Sequence, residues 1–228
     1  MLLKRNSMKK LILSALALSA IGYTASAQKT TKIFDGKTTT GWHSYNKTGA
    51  GAWSVVDGAL QLDPKSAEAA DLLTDAEYEN FELSIDWKIA EGGNSGIIFG
   101  VHEDPSLDAT YLTGIEMQVL DNKEAEDNKN PTHLAGSLYD MKGAPATAAK
   151  PAGEWNKVKL RKENGHLTFW LNGVQTVDVT IGSPEWTEML NASKFKTWEG
   201  FAKYPKGHIA LQGHGAVVCY KNISIKQL

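Results

Sequence analysis

The sequence holds a single cysteine, Cys219, in 228 residues. No intrachain disulfide can form, and a chain of this length buries enough core to do without one. Cys219 reads as a small buried hydrophobe rather than a nucleophile. Beyond the first 27 residues no apolar run is long enough for a membrane-crossing helix. Basic tracts are scarce too. Residues 1–27 carry Lys4, Arg5, Lys9 and Lys10 and no acid; the rest has 20 Lys+Arg against 26 Asp+Glu, a formal charge of −6. That balance argues against a nucleic-acid partner. There is no G-x-S-x-G, no H-E-x-x-H, no P-loop and no G-x-G-x-x-G before a helix. Gly92-Gly93-Asn94-Ser95-Gly96 is a turn and not a phosphate cradle, because no helix follows it. Nothing calls for an organic cofactor.

The N-terminus has the parts of an export signal. The four basic residues precede an apolar stretch, Leu11 to Gly22, and Ala25-Ser26-Ala27 is a small-residue cleavage site. Met8-Lys9-Lys10 alone would also start such a signal. Residues 1–27 are therefore expected to be a signal peptide, with residues 28–228 a single domain. No cysteine follows the apolar stretch to accept a lipid, so the expected address is periplasmic or secreted.

What remains is rich in short alternating runs. Asn80 to Ala90 sets Phe81, Leu83, Ile85, Trp87 and Ile89 against Glu82, Ser84, Asp86 and Lys88, the period of a half-buried strand. Asn164-Gly165 and Asn172-Gly173 join three further runs, Trp155–Lys162, His166–Asn172 and Val174–Val179, as hairpins. Further strands are expected over Trp53–Asp57, Ala59–Leu62, Leu72–Leu73, Gly96–His102, Gly114–Leu120, His133–Met141, His208–Gly213 and Val217–Ile225. A helix is expected over Trp186–Phe195, behind Ser183-Pro184-Glu185. Ten to thirteen short strands with one or two short helices make an all-β sandwich or jelly roll.

The central stretch, Glu91 to Asp121, suggests a site. In Gly114–Leu120 the side chains of Ile115, Met117 and Val119 share a face, and Glu116 and Gln118 take the other. In Gly96–His102, strict alternation puts Ile97, Phe99 and Val101 in the core and His102 on the opposite face. The same parity in His208–His214 puts Gln212 and His214 opposite Ile209 and Leu211. If these strands are neighbours, Glu116, Gln118, Gln212, His214 and His102 line one groove. His133 follows a proline in a loop and can lean over it. Glu116-x-Gln118-x-x-Asp121 is a degenerate form of the E-x-D-x-x-E run of laminarinase-type glycosidases. Five residues of strand span about 16 Å at roughly 3.3 Å each, whereas a retaining carboxylate pair needs about 5 Å. A conventional two-carboxylate glycosidase would need its second acid from another strand. A non-catalytic carbohydrate-binding module is the other alternative.

Six motifs in register carry a resemblance: Gly92-Gly93-Asn94-Ser95-Gly96-Ile97, Glu116 to Asp121, Gly136-Ser137-Leu138-Tyr139-Asp140, Gly153-Glu154-Trp155-Asn156, Leu171-Asn172-Gly173 and Leu211-Gln212-Gly213-His214-Gly215. From Ile33 onward the chain resembles the 3-keto-disaccharide hydrolase family, whose members are exported, often from Bacteroidetes, and have a concanavalin A-like jelly roll. The chain departs from the family at Gly100, where members often carry Arg, and at Ala216, where they often carry Asp. The resemblance implies a small carbohydrate substrate already oxidised at sugar C3 by a separate oxidoreductase. It implies C2 deprotonation, elimination of the C1 substituent and addition of water. Glu116 is then the candidate base, and His214 and His133 are the candidates for the acid. Asn94, Gln118, Asp121, Tyr139, Lys150 and Gln212 are the candidate substrate contacts. A divalent metal, if used, would sit on Glu116, His102 and His214.

Overall fold

The computed structural model describes residues 29–228; the expected signal peptide lies outside them. Thirteen strands are found among the described residues: β1 (Thr30–Lys32), β2 (Trp42–Ser44), β3 (Trp53–Val56), β4 (Ala59–Leu62), β5 (Leu72–Thr74), β6 (Phe81–Ile89), β7 (Asn94–Val101), β8 (Ile115–Leu120), β9 (Asn156–Glu163), β10 (His166–Leu171), β11 (Val174–Thr180), β12 (His208–Leu211) and β13 (Val218–Gln227). They form two antiparallel sheets. The larger runs β11-β10-β9-β6-β13-β4-β3, with β1 also on β13; the smaller runs β2-β5-β12-β7-β8. This is the all-β sandwich expected from the alternation.

The core lies between the sheets. Phe81, Leu83, Ile85 and Trp87 of β6 face Ile97 and Phe99 of β7 and Met117 and Val119 of β8, and all are buried. Phe99 sits edge-on between Phe81 and Phe169, at centroid distances of 6.1 and 5.9 Å. Full burial of each such ring stabilises the fold by roughly 1.5–3 kcal/mol. Both Asn-Gly pairs turn their hairpins with positive φ at each residue: 51° and 79° at Asn164 and Gly165, 51° and 85° at Asn172 and Gly173. These angles match the right-handed twist of the strands they join.

Beneath the small sheet a polar link crosses the core. The Ser95 hydroxyl donates to the Gln212 carbonyl at 2.6 Å and lies 2.8 Å from the Tyr220 hydroxyl. Tyr220 comes from β13 in the other sheet and is wholly buried. The link ties the large sheet to the strands that carry the polar outer face of the small one.

Three elements differ from expectation. First, alternation along β7 breaks at Gly100, which has φ +70° and opposes no residue of β12. The bulge turns Val101 outward beside Ile98, Leu73 and Ala210, and turns His102 away from them. Second, His133–Met141 is not a regular strand. It follows the free edge of β8 irregularly: Gly136 and Tyr139 donate their N–H groups to the Gln118 and Glu116 carbonyls, and Ser137 accepts from the Gln118 N–H. Positive φ at Gly136 and Asp140 curls it. Third, helix α1 (Pro184–Ala192) is capped by Ser183, which accepts from the Trp186 N–H, and stops short of Phe195. Ser193 is extended and caps a new 3-10 turn, Lys194–Thr197.

Candidate active site

The outer face of the small sheet carries the groove. Gly96 of β7 pairs with Gln118 of β8, and the Gln212 N–H donates to the Gly96 carbonyl at 2.9 Å just past the end of β12. Gln212, Gly96 and Gln118 therefore stand in a row across three strands. Ile98 pairs with Glu116, so Glu116 lies diagonal to Gly96. Its side chain lies over that glycine: a Cβ there would sit 2.8 Å from the Glu116 Cδ and 3.0 Å from its Cγ. Gly96 is the space in which the carboxyl rests.

These residues floor a cavity of about 310 Å³. Asn94, Glu116, Gln118, Gln212 and His214 line it from below, and Tyr111, Tyr139, Lys194, Phe195 and Trp198 wall it. Parity thus places Glu116, Gln118, Gln212 and His214 together as expected. Asn94 and Tyr139 are present too. The Asn94 Oδ1 is shut off from bulk solvent and has no hydrogen-bond partner among the described residues. A buried acceptor left open at a groove is a place for a ligand donor.

Glu116 is 7 % exposed. Burial pushes its carboxyl up to about 8, and the nearby Asp71 and Asp127 carboxylates push the same way; the Lys194 ammonium opposes them. Lys194 lies over the rings of Tyr139, Phe195 and Trp198, at 4.4, 5.5 and 5.8 Å from their centroids. Asp71 is raised by burial as well; it accepts from the Thr110 hydroxyl and from the Gly213 N–H, and the His214 charge pulls it down. Burial and the Asp127 carboxylate raise the Tyr139 hydroxyl, which donates to Asp127 at 3.0 Å. The site therefore sets a reluctantly ionised carboxyl beside an ammonium, with an exposed imidazole at the rim.

Several expected contacts lie elsewhere. His133 does not line the cavity. Its Nδ1 is 2.7 Å from Asp127 and its Nε2 3.0 Å from Asp140, and its ring stacks on Tyr139 at 4.4 Å. Asp140 in turn accepts from the Lys194 N–H at 2.8 Å. His133 braces the Tyr139–Lys194 wall from outside the cavity lining. Asp121 is buried and accepts from the Gly92 and Lys123 N–H groups, so it fastens a turn rather than a ligand. Lys150 is exposed; its backbone N–H donates to Asn156, and its loop runs to the large sheet. His102, turned by the Gly100 bulge, stacks on Tyr204 at 4.2 Å. The expected metal set of Glu116, His102 and His214 is therefore not assembled. Among the described residues no three His, Cys, Asp or Glu side chains form a metal-holding group.

Tyr111, Lys194, Phe195, Trp198 and Asp71 were not expected. The run Lys194-Phe195-Lys196-Thr197-Trp198 does mix basic and aromatic residues, but the expected helix takes in only Lys194 and Phe195 of it. Tyr111 and Thr110 ride on the loop between β7 and β8, which is held at its other end by Asn46 donating to Glu103 at 2.7 Å.

Residues 29–226 match the model of a 3-keto-alpha-glucoside-1,2-lyase-like domain. A 3-keto-disaccharide hydrolase of Bacteroides thetaiotaomicron is 33% identical, over 86% of this chain and 77% of that protein. A Parabacteroides distasonis crystal structure, provisionally assigned as a glycosyl hydrolase, is 30% identical with a TM-score of 0.81, covering 87% of this chain and 94% of that one. A Bacillus subtilis protein with a galectin-like fold, 18% identical, has a TM-score of 0.55 over 82% of this chain and 89% of that one, and speaks for the fold alone.

Proposed function

The chain belongs to the 3-keto-α-glucoside-1,2-lyase-like family, and on that premise we propose that it hydrolyses the glycosidic bond of 3-keto-glycosides. The observation that carries this reading is Glu116, a buried carboxyl raised to about 8 on the groove floor, with Lys194 opposing it. Such a carboxylate is a stronger base than an ordinary one, which is what removal of a carbon-bound proton needs.

A ketone at C3 acidifies the C2 proton. Glu116, as the carboxylate, takes that proton, and negative charge develops on the C3 oxygen. The Lys194 ammonium stabilises this charge in a partly dry site. The C1–O bond then breaks, leaving a C1=C2 double bond conjugated to the ketone, and His214 gives its proton to the departing oxygen. Water adds at C1 with His214 now accepting a proton, and Glu116 returns its proton to C2. One water is consumed, and a 3-keto sugar with a free C1 hydroxyl is released. Gln118, Gln212 and Asn94 hold hydroxyls of the ring. The substrate must come from an oxidation at C3 by another enzyme. The export signal read in residues 1–27 would place the reaction in the periplasm or outside the cell; N-terminal sequencing of protein from its host tests that cleavage.

The deciding experiment incubates the protein with a 3-keto-glucoside and with the same glucoside unoxidised. Released 3-keto-glucose from the first alone is expected. Binding without turnover would make the protein a carbohydrate-binding module, and turnover of the unoxidised glycoside would make it a conventional glycosidase.

A further inference from the structure

The groove does not end at the floor just described. It opens past Asn94, Tyr139 and His214 into a second compartment of about 690 Å³. Those three residues line both. The first compartment holds the base and Lys194. The second is walled by Glu124, Glu126 and Asp127, and among the described residues its lining contains no lysine or arginine. Glu124 is paired with the exposed Lys123 at 2.8 Å, and Asp127 is engaged by Tyr139 and His133. Glu126 enters no ion pair among the described residues.

The order of residues fixes how a glycoside would lie. The proton donor to the departing oxygen must stand between the ring that is cleaved and the group that leaves. His214 stands where the compartments meet. Asn94 lines both compartments, and its Oδ1 has no hydrogen-bond partner among the described residues. Carboxylates at the wall accept hydrogen bonds from hydroxyl or ammonium groups and repel anions. We infer that the second compartment is the leaving-group subsite, that it takes a polyhydroxylated second sugar, and that Glu124, Glu126 and Asp127 select neutral or amino-bearing sugars over acidic ones. This assignment rests on the 3-keto-glycoside reading and adds the leaving group to it.

The test compares kcat/KM for four 3-keto-glucosides whose leaving groups are methanol, glucose, glucosamine and glucuronate, at low and high salt, with native protein and with the Glu124→Gln/Glu126→Gln double variant. Methanol does not reach the second compartment. The expected result is that glucosamine is favoured over glucuronate by about 10-fold at low salt, and that added salt narrows the ratio. In the double variant the ratio should fall to about 2–3, with the methyl glycoside unchanged. A ratio near one for native protein at low salt, with the methyl glycoside turned over, overturns the subsite. So does a double variant that slows the methyl glycoside as much as the others. If even the methyl 3-keto-glucoside is inert, the hydrolase reading itself has failed and the subsite falls with it.

Discussion

Glu116 is where the proposed chemistry and stability oppose each other. Its folded carboxyl is raised from 4.5 to about 8. Below about pH 4.5 both the folded and unfolded states hold the proton, so burial adds no pH-dependent cost. Between there and about pH 8 the unfolded chain has released a proton that the folded chain keeps. Stability therefore falls with rising pH across this window, by up to about 1.4 kcal/mol per unit. Above it the full cost is present. Glu116→Gln keeps the shape and removes the titration. It should lower kcat on a 3-keto-glycoside by about 10²–10⁴-fold, match the native melting temperature near pH 4 and exceed it near pH 9. A variant that melts lower than native at both pH values would contradict the assignment of the buried charge to Glu116. Lys194 sets the same balance from the other side. It lowers Glu116, so Lys194→Met should move the rising limb of the kcat/KM–pH profile to higher pH. An unmoved limb would mean that the titrating base is another group.

At the scale of elements, the site is a frame of three strands with one gap in it. Gly96 is that gap, and Gly96→Ala tests it. Alanine gains no strain from a positive φ here and reduces the freedom of the unfolded chain, so the fold should tolerate it. The Cβ would displace the Glu116 carboxyl. Loss of more than 10-fold in kcat/KM with a melting temperature within a few degrees of native is expected. Full activity would show that the carboxyl acts from some other position. The same frame explains what alternation can and cannot reveal. In β8 the pleat is unbroken from Ile115 to Leu120, so side-chain parity alone separates Glu116 and Gln118 from Met117 and Val119. In β7 the same count fails after Gly100, because the glycine's positive φ inserts an unpaired residue that no side-chain pattern announces. His102 is lost to the groove for that reason. Asp121 sits one residue beyond its strand, where the backbone bends and the carboxylate meets N–H groups instead of a ligand. Lys194 escaped because helical periodicity runs past Ala192, while the chain is turned by the extended Ser193. Residue spacing reports the regular parts of elements. The walls of this groove come from their irregular ends.

The whole molecule is two sheets clamped across a core, and the polar pin of Ser95, Tyr220 and Gln212 makes the large sheet a support for the groove floor. The strand that supplies Tyr220 has a peculiar place. β13 lies in the interior of the eight-stranded sheet, paired with β6 on one side and with β4 and β1 on the other. It is also the last of those strands in the chain. Without it the sheet is a β3–β4 hairpin, a β6-β9-β10-β11 piece and an unpaired β1. A chain cut before Val218 should therefore lack cooperative melting and be degraded by protease where the full chain resists; a protease-resistant truncated chain would refute this. During synthesis the N-terminal strands must wait for the final one, and pairings of long sequence separation form slowly. Until β13 has been made, the larger sheet stays open.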